Sequence, residues 1–447
     1  MVPTEWFTLE NNRHGLVLLS ILTGTFLVPV NSTMIAVGLP SIVESLHSSL
    51  THASWIITVY LIVMTVLQPI AGKLGDIYGN REMFLLGMLL FLLSSIACLF
   101  TMNLLWLIIF RAVQAVGGAL AAPNASAIIR YVTPREKMGK TFGLFGFSMG
   151  IGAALGPLMG SILISLWGWT SIFWINVPFA LVSLCASFFL LPAIKKEKTA
   201  TLDIYGSVLL GVSLITLILL VTHNEYRTIW TWGLLCMLIL LFIRQEKKCE
   251  EPLIKFQLFK NRMFTSANFS ILFSNAIMYS TILVMPILLQ NEFHFSVETI
   301  GVLLFVFSLS MSLFSWVGGY LTDRVGKKMI VLLSFLFSAV AVGVYVGFYS
   351  NHSLATIAIG LVIGGLGAGI GSASMQTASL QAVSKEMSGV ASGIFSTFRY
   401  VGGMIASVLV SLLMDYHLLF YTLFFFALSG IPVAWGLHEP SIKESNG

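Results

Sequence analysis

The sequence predicts an all-α membrane protein of two six-helix bundles with two further spans between them, fourteen transmembrane helices in all. Three observations carry this reading. Of 447 residues, 57% are hydrophobic and only 10% charged, with a mean hydropathy of +0.91; soluble domains carry about a quarter charged residues. Apolar runs of roughly 20 residues, the length that crosses a bilayer, recur along the whole chain. One loop is also written twice, as Gly72-Lys73-Leu74-Gly75-Asp76-Ile77-Tyr78-Gly79-Asn80-Arg81 and as Gly319-Tyr320-Leu321-Thr322-Asp323-Arg324-Val325-Gly326-Lys327-Lys328, with the acid and the closing glycine at the same spacing.

Taken in order, the first span is expected near 15–38, after a polar start, Met1 to Asn12, without the pattern of a cleavable signal. Spans near 54–72 and 83–101 flank the first copy of the loop. Those near 104–129, 141–164 and 171–191 complete a bundle over residues 1–192. A middle segment, 193–263, holds spans near 204–222 and 229–244. Its charge runs, Lys195-Lys196-Glu197-Lys198 and Arg244 to Glu251, read as solvated linker. Six spans near 264–290, 299–321, 329–349, 354–382, 390–413 and 418–437 build the second bundle, 264–447. Gly319 follows Gly72 by 247 residues, and Gly117-Gly118 map onto Gly364-Gly365 at that offset. With three residues more, Arg135-Glu136 through Gly143 map onto Lys385-Glu386 through Gly393. Duplicated parallel halves are how many transporters build a path exposed alternately to either face.

The cations orient the chain. Of 24 Lys and Arg residues, Arg111 and Arg399 fall inside spans and Arg227 in an outer loop, so 21 lie at one face. The positive-inside rule assigns that face, with both termini, to the cytoplasm of a multi-pass plasma-membrane protein. The +5 net charge is thus a topology signal, and no nucleic-acid partner is expected. Cys98, Cys185, Cys236 and Cys249 lie in spans or a cytoplasmic segment and read as free thiols, with no metal site. No G-x-x-x-x-G-K-[ST] phosphate cradle is written, which disfavours ATP-driven pumping, and no catalytic constellation marks an enzyme.

In the doubled loop, Gly72 and Gly79 permit tight turning and close approach. Asp76 can accept hydrogen bonds from the amino end of a neighbouring helix or pair with Arg130; either bond is a latch that breaks when the halves rock. Gly152, Gly156 and Gly160 share one helix face suited to close packing, and Pro157 bends that helix. Arg111 lies deep enough in span 4 that its charge demands a partner or a watery cavity, with Gln114 at hand. Arg399 could instead snorkel to an interface.

Together these elements resemble the fourteen-helix drug:proton antiporter branch of the major facilitator superfamily. The resemblance rests on the doubled loop, Arg111-Ala112-Val113-Gln114-Ala115-Val116-Gly117-Gly118, Gly156-Pro157-Leu158-Met159-Gly160, Ile172 to Pro178, Leu202-Asp203-Ile204-Tyr205-Gly206 and Glu251-Pro252-Leu253-Ile254. It covers nearly the whole chain. It implies a gating role for Gly72, Asp76, Arg81, Asp323 and Arg130, a hinge at Gly152, Gly156, Pro157 and Gly160, and a cavity-facing cation at Arg111.

It further implies export of varied toxic compounds, such as dyes, quaternary ammonium compounds and fluoroquinolones. The drive would be the proton motive force, with no cofactor, in a monomer. The alternative is an exporter or facilitator of one endogenous metabolite or lipid, uncoupled or coupled to another ion.

One departure stands out. Relatives carry an aspartate in span 1 where this chain has Asn31, which cannot exchange a proton. Coupling then falls to Glu292, Asp415 or Asp203; the first two either face an outward-open cavity, where partial burial would raise their affinity for a proton, or stand as plain exposed charges at the outer mouth. Substrate contact is expected from Asn31, Met34, Trp55, Tyr60, Arg111, Gln114, Phe147, Asn268, Asn275, Tyr279, Phe307 and Phe398, aromatics and amides of the central spans.

The orientation has a direct check in a cysteine-free background. Single cysteines at Asn224 and Asn351 should react with an impermeant thiol reagent in intact cells, and cysteines at Lys196 and Lys327 should not. Labelling at Lys196 in sealed cells contradicts it.

Overall fold

A computed structural model describes residues 4–192, 194, 202–222, 224–249, 252, 256–349, 353–413 and 415–437. Among these residues thirteen helices are long and apolar enough to cross a membrane. A shorter apolar helix, Ile204–Leu220, stands where span seven is expected. No strand occurs among them.

The long helices are α1 (Thr4–Ser45), α2 (Trp55–Tyr78), α3 (Asn80–Leu99), α4 (Leu104–Val132), α5 (Met138–Trp167), α6 (Asn176–Leu190), α7 (Ile204–Thr222) and α8 (Ile229–Lys248). They continue with α9 (Arg262–Asn291), α10 (Val297–Val325), α11 (Lys327–Val346), α12 (Leu354–Ile370, extended beyond Gly371 by Ser372–Gln381), α13 (Ser388–Leu412) and α14 (Tyr416–Ala434).

Local chemistry sets the corners. Gly79 and Gly326 hold φ of 108° and 98°, a region that side chains disfavour, and each turns one helix directly into the next. Asn103, Asn261, Ser296, Ser353 and Asp415 cap the helices that follow them. α1 is longer than the expected 15–38, because its helix runs on through Pro29 and Pro40. α8 likewise runs to Lys248 instead of ending at 244, so part of the expected linker charge run is helix. Phe242 and Glu246, one turn apart, are both buried.

At the end where α2 turns into α3 and α10 into α11, basic residues gather: Arg81, Arg135, Lys137, Lys140, Arg324, Lys327, Lys328 and Lys385. At this basic end the two halves share one apolar core, in which Ile128, Met138, Phe142 and Phe145 pack with Ala373, Leu380, Ala391 and Ile394. At the opposite end the cores are separate. One is built from Val30, Met34, Ile42, Trp169 and Phe173, the other from Met285, Leu288, Phe307, Tyr345 and Leu419. Burial at about 25 cal/mol per Å2 therefore holds the halves together at one end.

Two seams join the halves there, α2 against α13 and α5 against α10. α7 and α8 add an apolar layer over the first, where Leu210, Leu214 and Phe242 meet Val66, Ile70 and Val401. Both seams are closed by backbone meeting backbone. A methyl on Gly72 would land on the carbonyl of Gly389, and one on Gly319 on the carbonyl of Gly139. Gly143, Gly146 and Gly150 carry the second seam onward against Ser315 and Ser312.

Gly319→Ala should therefore part α5 from α10, whereas Gly301→Ala, whose methyl meets nothing within 4 Å, should not. With a single cysteine at Ser315, buried in the seam, thiol labelling should speed up severalfold in the first background only. Equal rates in both contradict backbone-limited closure.

Candidate functional site: the latches and the polar cluster between the halves

Asp76 stands near the end of α2, and its carboxylate accepts the N–H groups of Gly389 and Val390, 2.8 Å each, at the bare start of α13. Asp323 repeats this near the end of α10, accepting from Gly139 at 2.8 Å and Lys140 at 2.7 Å at the start of α5. The partners obey the same internal duplication as the acids. A helix start presents unpaired N–H groups and a partial positive charge, so a carboxylate there is stabilised twice over.

Each latch crosses between halves. Asp76 is buried and linked through Asn80 to Asn124 (3.5 and 3.0 Å), whereas Asp323 is exposed. Water and salt therefore screen the second latch more than the first.

Three further bridges close the basic end. Arg130 donates to the Val383 carbonyl at 2.6 Å, and Gln381 to the Arg135 carbonyl at 3.3 Å, a near-symmetric exchange of helix-end contacts. Gln376 donates to Ser126 at 3.0 Å. These two positions are 250 residues apart in sequence, so equivalent residues meet where the halves face each other.

Several expectations are corrected here. Of the two partners open to Asp76, the helix start holds it; Arg130 takes the carbonyl instead. Arg81 stays within its own half, donating to the Phe188 carbonyl at 2.6 Å and lying over its ring. Gly152, Gly156 and Gly160 pack closely along one face, as their spacing suggests, but against α1 of their own half. They receive Phe26, Thr33 and Met34 of α1, and Pro157 is exposed. The α5 face toward the other half is Gly139, Gly143, Gly146 and Gly150; Gly150 and Gly152 are about 200° apart around a helix.

The residues expected to line a cavity fall in different places. Arg111, fully buried, donates to Asn31 Oδ1 and, at 2.5 Å, to Gln114 Oε1; Gln114 donates on to Ser95 at 2.7 Å. The guanidinium carbon lies 4.2 Å from the centre of the Tyr60 ring. Across the α2–α13 seam, Gln68 reaches the Tyr400 hydroxyl at 3.5 Å. Tyr279 lies against Gly403, and Asn275 against Gly402, on α13.

Phe147 pairs with Trp316 between the halves at 6.4 Å. Met34 is packed between α1 and α5, and Trp55 starts α2. Asn268 ties α9 to Ser379, and Phe307 lies in the second half's own core beside Tyr345. Phe398 packs against the tilted ring of Phe259 and edge-to-face with Phe269, on the side of the linker segment. Ser95, Gln68 and Tyr400 were not among the expected residues.

Of the two readings of the mouth acids, plain exposed charge is the one the structure matches: Glu292 and Asp415 are both exposed, and Asp415 is committed to capping α14 through His417 and Leu418. Asp203 is buried, caps α7 through the Gly206 N–H at 2.9 Å and receives Gln245 of α8 at 3.3 Å. Glu246, expected in solvated linker, is buried beside it, both carboxylates facing Gly206. Among the described residues no His, Cys, Asp or Glu group could hold a metal ion.

Charge-assisted hydrogen bonds contribute about 1.5–3 kcal/mol each, more where solvent is excluded. Asp76→Asn, which keeps the shape and removes the charge, should therefore lower the apparent melting temperature of the purified protein clearly more than Asp323→Asn does. Equal losses contradict the ranking of the two latches.

The family model for the Major Facilitator Superfamily matches residues 21–246 and 267–446. The chain is 47% identical over 434 residues to the MFS-type transporter YvkA of Bacillus subtilis (strain 168), covering 96% of this chain and 97% of that one. It is 28% identical to Multidrug resistance protein 3 of the same organism, over 86% and 77% of the two chains. The crystal structure of the human organic anion transporter MFSD10 (TETRAN) superposes with a TM-score of 0.71 at 15% identity, over 94% and 99%, and so shares its fold. This multi-pass membrane protein of duplicated halves, a transporter of small molecules and not an enzyme, belongs to the Major Facilitator Superfamily.

Proposed function

We propose that this transporter is a multidrug exporter that uses proton entry to expel structurally varied toxic compounds, among them dyes, quaternary ammonium compounds and fluoroquinolones. The observation that carries the reading is the paired closure of the basic end by Asp76 and Asp323, with separate half-cores at the other. With the basic end in the cytoplasm, this is a state shut inward and poised to open outward, where an exporter releases cargo. Two resemblances support the choice of cargo: to the fourteen-helix drug:proton antiporters and, within them, to the multidrug efflux protein SdrM. The relative named as a multidrug resistance protein supports it as well.

Asn31 leaves the coupling proton to another carboxylate. The carboxylates of Asp203 and Asp415 are each engaged as helix caps, while Glu292 closes α9 through its backbone N–H to the Leu288 carbonyl and its carboxylate caps no helix start among the described residues. Glu292 is therefore the proposed coupling group.

The test is purified protein in liposomes, with a pH gradient and a membrane potential imposed separately. Ethidium and norfloxacin fluxes should follow the pH gradient, and Asp76→Asn should cut them about tenfold or more, each 1.4 kcal/mol being a factor of ten. Glu292→Gln should abolish the response to the gradient while leaving cargo binding intact. Flux that ignores the pH gradient overturns coupling, and a Glu292→Gln protein that still responds to it reassigns the proton.

A further inference from the structure

Two cations lie more than six residues from either end of a described span, Arg111 and Arg399, and no carboxylate does. The membrane-embedded part of the protein is thus formally positive by two charges. Intramembrane cations are costly unless paired or wetted, and here the pairing is incomplete. Asn31 and Gln114 both bond the same nitrogen of Arg111, leaving its Nε and second terminal nitrogen without hydrogen-bond partners among the described residues.

The Tyr60 hydroxyl and the Gln68 Oε1 are also buried and accept or donate no hydrogen bond among the described residues. Beyond them, across the seam, Tyr400 receives Gln68 and lies within electrostatic range of Tyr60 on one side and of Arg399 and Tyr279 on the other. The sequence Arg111, Tyr60, Tyr400, Arg399 therefore runs from one half into the other. Arg399 is half-buried midway along α13, too deep to snorkel readily to the basic end, and no carboxylate pairs with it among the described residues.

We propose that this cross-seam cluster of two arginines and three tyrosines is a binding site for the carboxylate of the cargo. An unpaired guanidinium recognises a carboxylate by charge and by its fork of donors. Tyrosine hydroxyls add neutral donors, and their rings give flat apolar walls. Because the groups come from both halves, a carboxylate held there bridges the two bodies that must move. The inference rests on the drug-export reading for the identity of the cargo, and it narrows that reading to zwitterionic and anionic compounds over cations.

Asn31→Asp is the sharpest probe, since it changes no volume and supplies Arg111 with an internal carboxylate that competes with the cargo's. Calorimetric titration of the purified full-length protein, with no gradient imposed, would compare norfloxacin, its ethyl ester and ethidium, with benzoate or chloride as competitor. Norfloxacin should bind about tenfold or more tighter than its ester. Benzoate should displace it and chloride at equal ionic strength should not. In Asn31→Asp the preference for acid over ester should collapse toward unity, and Arg399→Gln should weaken the acid while leaving the ester within about twofold.

Equal affinity for acid and ester in the unaltered protein, or a preference that survives Asn31→Asp, overturns the proposal. Displacement by chloride as effective as by benzoate makes the site a general anion site and overturns the assignment to cargo. Binding of ethidium alone overturns it while leaving multidrug export standing. Acid preference without pH-driven flux sinks the coupling reading and leaves this one intact.

Discussion

A carboxylate at the end of one helix, set against the bare N–H groups at the start of another, is the contact on which the arrangement turns. It is strong because the acceptor is charged and the donors have no other partner. It is also reversible as a unit, since parting the helices breaks both bonds together. The duplication places one such contact on each seam, Asp76 on α13 and Asp323 on α5. Glycines let these contacts form, because any side chain at Gly72 or Gly319 would collide with the facing backbone.

The two halves are nonetheless not equivalent. Asp76 is buried in an amide network that the second half does not repeat: Asn80 corresponds to Lys327, and Asn124, at the offset that pairs Ser126 with Gln376, to Ser374. α7 and α8 cover only the α2–α13 seam, and their basic-end junction is fixed by the Asp203 cap. The result is one sheltered latch with an apolar cover and one exposed latch. Arg111 has no counterpart either, since Ala358 occupies the corresponding place. The cluster between the halves is thus assembled from unlike contributions.

Much of the fold was legible in the sequence because span length and hydropathy are local properties, and the doubled loop announced both acids. The latch partners were half legible: the duplicated segments from Arg135 and Lys385 contain Gly139 and Gly389, but nothing local says which acid meets which helix start. Helix faces were harder to read. Two glycine ladders two positions apart on α5 point in opposite directions, and only packing shows that Gly152, Gly156 and Gly160 serve α1.

Arg81 and Phe398 were misplaced for the same reason, since proximity in a motif or a central span does not fix the direction of a side chain. The Gln68–Tyr400 contact joins residues 332 apart and depends on the register of the two halves. Glu246 looked like solvated linker until the last turns of α8 carried it beneath the start of α7.

The central claim is that two latches govern one rigid movement. Spin-label pairs at the exposed positions Tyr78 and Lys385, and at Val325 and Arg135, report the two seams separately. If the halves rock as bodies, Asp76→Asn alone lengthens both distances together, although only the first seam was touched. Lengthening confined to the Tyr78–Lys385 pair, or no change in either, would contradict the account.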